Sequence, residues 1–425
     1  MDNMSDLQKA FVKAKLAKYP PDIPIFDETE EDATTSTGIN RGNDATIEEG
    51  EEFDSSSTSS ASSVGTVVPS PSRNLFAKPG SLPRQRNGSA ESLTWRDFFS
   101  RELYIERNTD DLHIIYHTYI TPPTGSGPLF VMHHGAGSSG LSFAACAAEI
   151  RKILPEAGIL SLDARYHGST TVESRDGNPV ELDYRLETLS QDLLAVIRGA
   201  QTQMVWETLP DLVLVGHSLG GAVITDVARG GELGAKVLAY AVLDVVEGSA
   251  MDALQGMDTY LSARPTRFPS LSSAIEWHFR SRTIRNTTSA RVSVPSLLTE
   301  EENPSDASLP WTWRTNLADT KPFWEDWFKG LSKKFLEAKG GKLLLLAGTD
   351  RLDKELMIAQ MQGKFSLQVL PLAGHFIQED QPAKTARFLV DFFKRNDRTP
   401  LVLPPKVGDI MASKAMEKGV GINKI

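Results

Sequence analysis

The chain has 425 residues, of which 40% are hydrophobic and 24% charged, with a formal net charge of −10 at neutral pH. That balance is ordinary for a soluble globular protein and argues against a general binder of nucleic acid or anionic membranes, which needs a basic face to neutralise phosphates. The single cysteine, Cys146, excludes an intramolecular disulfide and a Cys-based zinc cluster, and fits a reducing compartment.

The first twenty residues lack an unbroken apolar stretch of the secretory type. No window approaches the ~20 apolar residues that span a bilayer. A cytoplasmic or nuclear protein is expected, with no membrane partner. Residues 1–92 read as a disordered extension. An acidic stretch over 27–54 runs into a Ser/Thr tract over 55–63 and then a Pro/Ser/Arg segment, so few side chains can offset the entropy of ordering. Leu7, Phe11 and Leu16 share a helical spacing there, but a frayed terminus is the default reading.

Residues 93–396 read as one α/β domain. Residues 112–119 alternate like a strand, and short continuous apolar runs follow at 129–132, 158–162, 212–215, 236–243, 342–347 and 367–370. Helix-length amphipathic stretches such as 187–203 and 222–229 lie between them. Continuous apolar runs alternating with helices predict a doubly wound, mostly parallel sheet buried on both faces, with its active site at the C-terminal strand ends. Residues 249–339 break the rhythm and carry Trp277, Trp311, Trp313, Trp324 and Trp327, which predicts a helical cap insertion with its own apolar face. Residues 397–425, with prolines at 400, 404 and 405, read as a loosely held tail.

Gly216-His217-Ser218-Leu219-Gly220 follows one apolar run and opens a helical one. That context is the nucleophile elbow of the α/β-hydrolase fold, a strand-to-helix turn that lifts a serine hydroxyl above the sheet. Ser218 is the candidate nucleophile. His134-Gly135-Ala136-Gly137 closes an earlier run and, in this fold, would supply one oxyanion amide from Ala136, with the second from Leu219. Only His278 and His375 follow Ser218. His375 lies just after the last strand run, where the order nucleophile, acid, histidine places the base. His278 sits in the insertion beside Trp277 and reads as structural. Two acids follow strand runs, Asp244 and Asp350, and spacing alone favours Asp350. Asp163 reads as a loop organiser. Cys146, in a run of alanines, reads as a packed, inert thiol. No metal or cofactor is expected.

Further stretches go beyond the elbow. They include 243–254 (Leu-Asp-Val-Val-Glu-Gly-Ser-Ala-Met-Asp-Ala-Leu), Ala274-Ile275-Glu276-Trp277, Ile284-Arg285-Asn286, Asp350-Arg351-Leu352-Asp353-Lys354 and Gln360-Met361-Gln362-Gly363-Lys364-Phe365. On these the chain resembles the protein phosphatase methylesterases from about Trp95 to Phe393. The resemblance implies removal of the methyl ester from the C-terminal leucine of the type 2A protein phosphatase catalytic subunit. It also implies that Asp244, in Asp-Val-Val-Glu-Gly, is the triad acid, with Asp350 kept as the alternative. A monomer acting on that phosphatase tail is expected. The rival readings are a general small-ester or lipid esterase and a non-catalytic phosphatase-binding partner.

Overall fold

The apolar runs become strands wherever a turn bounds them on both sides. A computed structural model describes residues 92–348 and 352–397. Its first strands are β1 (Arg101–Asn108), β2 (Leu112–Thr121), β3 (Leu129–His133), β4 (Gly158–Leu162), β5 (Thr171–Ser174), β6 (Leu212–His217) and β7 (Val237–Leu243). Three short ones follow, β8 (Arg267–Phe268), β9 (Leu298–Glu300) and β10 (Trp311–Trp313), and then β11 (Gly341–Leu346) and β12 (Ser366–Val369). The large sheet runs β1-β2-β4-β3-β6-β7-β11-β12, with β5 paired to β2. From β4 to β12 every neighbouring pair is parallel. β2 joins β4 antiparallel, and β1 and β5 pair antiparallel with β2. The six expected strand runs all lie in the parallel part. β1 and β5 lacked a clear signal because edge strands leave alternate residues in water.

Side chains on a strand point alternately to the two faces. In β3, Leu129 and Val131 join one apolar cluster while Phe130 and Met132 join another. β6 repeats this with Leu212 and Leu214 against Val213 and Val215, and β11 with Leu344 and Leu346 against Leu343 and Leu345. Both faces are covered, which is why these strands read as continuous rather than alternating apolar runs. Each such side chain contributes roughly 1.5–3 kcal/mol by leaving water.

The helices before the insertion are α1 (Ala144–Ile153), α2 (Leu186–Gln203) and α3 (Leu219–Gly230). The insertion carries α4 (Glu247–Leu254), α5 (Met257–Ala263), α6 (Leu271–Arg280), α7 (Thr287–Ser293), α8 (Trp324–Phe328) and α9 (Leu331–Glu337). After it come α10 (Lys354–Met361), α11 (Ile377–Asp380) and α12 (Pro382–Asn396). Cys146 and Ile150 of α1 and Leu389 and Phe393 of α12 cover one sheet face; Leu193 of α2 and Val223 of α3 cover the other. Among the described residues, no helix is long and apolar enough to cross a membrane.

Residues 249–339 hold more than helices. β8, β10 and β9 form a separate three-stranded antiparallel sheet. Phe268, Ile275 and Leu298 build a third apolar cluster there, with Trp277, Trp311 and Trp313 packed against it. Trp324 and Trp327 instead join the main core. The five tryptophans therefore divide between an apolar centre of the insertion's own and its attachment to the sheet. Strands of two or three residues are too short to show a period, so this small sheet left no trace in the pattern.

Candidate active site

Ser218 sits between β6 and α3, in a backbone conformation of φ 51° and ψ −119° that non-glycine residues rarely adopt. The surroundings impose it. A Cβ on Gly216 would lie 2.1 Å from the Gly220 carbonyl oxygen, and one on Gly220 would lie 2.1 Å from the His133 carbonyl oxygen. Only glycine lets β6, α3 and the end of β3 approach this closely, which is the physical content of the Gly-x-Ser-x-Gly spacing. The Ser218 amide donates to the Leu243 carbonyl at 3.1 Å, so the elbow is tied to the end of β7. Strain of this kind persists only where surrounding bonds over-determine it.

The next residue, Asp244, also has positive φ, at 53°. Its amide donates to the Leu345 carbonyl at 2.8 Å, and its Oδ1 accepts the Ala347 amide at 2.8 Å. Both bonds anchor it to β11. Its Oδ2 lies 3.0 Å from Nδ1 of His375, and the carboxylate is fully buried while the imidazole is 12% exposed. A carboxylate only accepts, so Nδ1 carries the proton and Nε2 is the basic nitrogen. His375 lies in the loop between β12 and α11.

Ser218, Asp244 and His375 line one cleft, of about 790 Å³ including the part open to solvent. Ala136 and Leu219 line it too. Leu219 opens α3, so its amide belongs to the first turn, whose N–H groups have no partner within the helix and carry the positive end of its dipole. The far wall comes from the insertion and is apolar: Leu254, Met257, Leu317, Trp324, Trp327 and Phe328.

Histidines to which the sequence assigned no role of their own brace the loop carrying Ala136. His134 Nε2 accepts the Ala164 amide at 3.0 Å while its Nδ1 donates to the Gly135 carbonyl at 2.7 Å. His167 Nε2 accepts the Gly137 amide at 2.9 Å and its Nδ1 donates to the Arg165 carbonyl at 2.8 Å. Each ring is thus fixed as one neutral tautomer, and burial lowers both pKa values. His217 Nε2 donates to the His375 carbonyl at 2.9 Å, and burial, aided by the neighbouring His375, pushes His217 down to about 3. The only advance signal was the unusual density of histidine next to glycine in these two loops.

Asp163 is a loop organiser by its bonds: Oδ1 accepts the Gly140 amide at 2.8 Å, and Oδ2 the Ser169 amide at 3.0 Å and His117 Nδ1 at 2.7 Å. His278 is buried away from the cleft lining, its Nδ1 donating to the Ala274 carbonyl at 2.8 Å beside Trp277 and Trp313. Cys146 is fully buried, which raises its thiol pKa and leaves it protonated. Asp350, the alternative acid, lies outside the described residues, as does the 1–91 segment with its Leu7–Phe11–Leu16 stripe. Among the described residues no group of three or more His, Cys, Asp or Glu side chains is placed to hold a metal.

The model of the alpha/beta hydrolase family matches residues 130–388. The chain is 68% identical over 418 residues to protein phosphatase methylesterase 1 of Aspergillus fumigatus, spanning 98% of this chain and 95% of that protein. It is 46% identical over 320 residues to protein phosphatase methylesterase 1 of Schizosaccharomyces pombe, covering 75% and 89% of the two chains. Among solved structures, E-2-(acetamidomethylene)succinate hydrolase superposes with a TM-score of 0.52 at 18% identity, over 69% of this chain and all of that one, a likeness of fold alone. The chain belongs to the protein phosphatase methylesterases, serine hydrolases built on the α/β-hydrolase fold.

Proposed function

We propose that this chain hydrolyses the methyl ester of the C-terminal leucine of the type 2A protein phosphatase catalytic subunit, with Ser218 as nucleophile, His375 as base and Asp244 as the acid that orients it. The observation carrying this reading is the 3.0 Å contact of His375 Nδ1 with Asp244 on the wall of the cleft that also holds Ser218. The names of the relatives supply the substrate class.

In the proposed cycle, His375 Nε2 takes the Ser218 hydroxyl proton as Oγ attacks the ester carbonyl. The tetrahedral oxyanion is held by the Ala136 and Leu219 amides; losing one such donor typically costs roughly 2.7–4 kcal/mol of transition-state stabilisation. Methoxide is a poor leaving group, so the imidazolium returns its proton to that oxygen and methanol departs. Water, deprotonated by His375, attacks the acyl-enzyme, the Ser218 oxygen regains a proton, and the leucine carboxylate is released. Buried Asp244 stabilises the imidazolium in both halves without itself being protonated.

The apolar wall from the insertion suits a leucine side chain next to the ester. A flexible tail loses conformational freedom when it enters such a cleft, and docking of the folded phosphatase body would offset that loss. The test compares methanol release from the carboxymethylated phosphatase with hydrolysis of short 4-nitrophenyl esters. The proposal predicts a far higher kcat/KM on the phosphatase. Comparable values would favour the general small-ester esterase instead, and binding without any methanol release would favour a non-catalytic partner.

A further inference from the structure

The loop carrying His375 belongs to no helix or strand; Ala373 packs into the core but Leu372 is 67% exposed, so packing fixes only part of it. Besides the Ala373 amide on the Leu370 carbonyl and His217 on the His375 carbonyl, two further side chains hold its backbone. Asp380, at the end of α11, accepts the Gly374 amide on Oδ2 at 2.5 Å and the Arg285 amide on Oδ1 at 2.7 Å. Arg285, in the insertion between α6 and α7, donates from Nη1 to the Leu372 carbonyl at 2.7 Å, with its Nε 3.7 Å from Asp380 Oδ2. Leu372 and Gly374 lie just before His375, so the carbonyl of one and the amide of the other are bound from the same pair. Asp380 is fully buried and Arg285 about a quarter exposed. A buried carboxylate–guanidinium pair is weak support for stability, because desolvation offsets most of its attraction. Its placement against the loop that ends in His375 gives it a different use.

We infer that Asp380 is a positioning residue for His375, and that Arg285 is the strut through which the insertion sets the place of the base. This rests on reading His375 as the base. Neither residue itself lines the cleft that holds Ser218, and the pair acts by fixing where the imidazole stands. Displacing a catalytic group by about 1 Å can slow a reaction by roughly 100-fold.

The experiment uses the full chain and reads the second-order rate at which a fluorophosphonate labels Ser218, which depends on activation of the hydroxyl and not on the identity of the natural ester. Asp380→Ala is expected to slow labelling by roughly 100-fold. Asp380→Asn keeps one carbonyl acceptor and should recover part of that loss. Arg285→Ala, at a partly exposed position, should slow labelling as well, and the Asp380→Ala, Arg285→Ala double variant should lose less than the product of the single losses, since both hold one loop. In a His375→Ala background, Asp380→Ala should add no further loss. If Asp380→Ala does not fold, Arg285→Ala alone and in that background carries the same comparison. Unchanged labelling in Asp380→Ala and Arg285→Ala would overturn the inference, as would an equal slowing with and without His375. Unchanged labelling in His375→Ala itself would instead remove the base assignment, a separate result.

Discussion

Two parts of the candidate active site are held in different ways. Ser218 and Asp244 stand at the ends of parallel strands, each in positive-φ backbone and each bonded to the next strand along, Ser218 to Leu243 and Asp244 to Leu345. His375 stands on a loop whose backbone is fastened by side chains from three places: Asp380 on α11, Arg285 in the insertion and His217 in the elbow. The sheet delivers accuracy through backbone bonds that few substitutions can reach. The loop obtains it from individual side chains, and is therefore the part that a change in the insertion could displace.

The strand-held half breaks hardest at its carboxylate. Asp244→Asn should lower kcat by roughly 10⁴-fold, because the amide no longer selects the tautomer that leaves Nε2 basic. Asp350→Asn should leave turnover near wild type, and kcat measurements on the pair decide between the two acids. Gly220→Ala should destabilise the fold by about 3 kcal/mol, the upper end for overpacking, since its methyl would meet the His133 carbonyl at 2.1 Å. Urea denaturation measures that loss.

In the loop-held half, His217→Phe removes the donor to the His375 carbonyl and should raise the barrier to turnover by about 1–3 kcal/mol, with KM little changed. Steady-state kinetics separate the two parameters. The smallest effect is expected at Glu379, next to Asp380. Burial raises its pKa well above 4.5, and Ser293 Oγ donates to its Oε2 at 2.6 Å. The native state keeps this proton at pH values where the unfolded chain has lost it, so the contribution to stability is full below 4.5 and is lost as pH rises through the native value. Glu379→Gln mimics the neutral acid and should stabilise the protein progressively as pH increases, with little effect at low pH. Denaturation midpoints across the pH range, compared with wild type, check the slope.

The same contrast explains what the sequence could disclose. The strands were legible because residues 129–132, 212–215 and 343–347 are apolar without interruption, as burial on both sheet faces requires. The elbow was legible because Gly216, Ser218 and Gly220 fall within five consecutive residues and their steric reason is local. The acid was not, since Asp244 and Asp350 both follow strand runs; spacing alone favoured Asp350, while the family resemblance pointed to Asp244, whose carboxylate lies against the His375 ring. The brace on the base was invisible because Arg285 and Asp380 meet across 95 residues of chain, and neither belongs to a motif with a chemical signature. The small sheet in the insertion went unseen for a related reason, its strands being too short to alternate.

The most direct measurement is methanol release from carboxymethylated type 2A phosphatase by wild type and by Ser218→Ala at equal concentration. The account predicts that the variant binds the phosphatase but turns it over roughly 10⁶-fold more slowly. Demethylation at the wild-type rate by Ser218→Ala would contradict it.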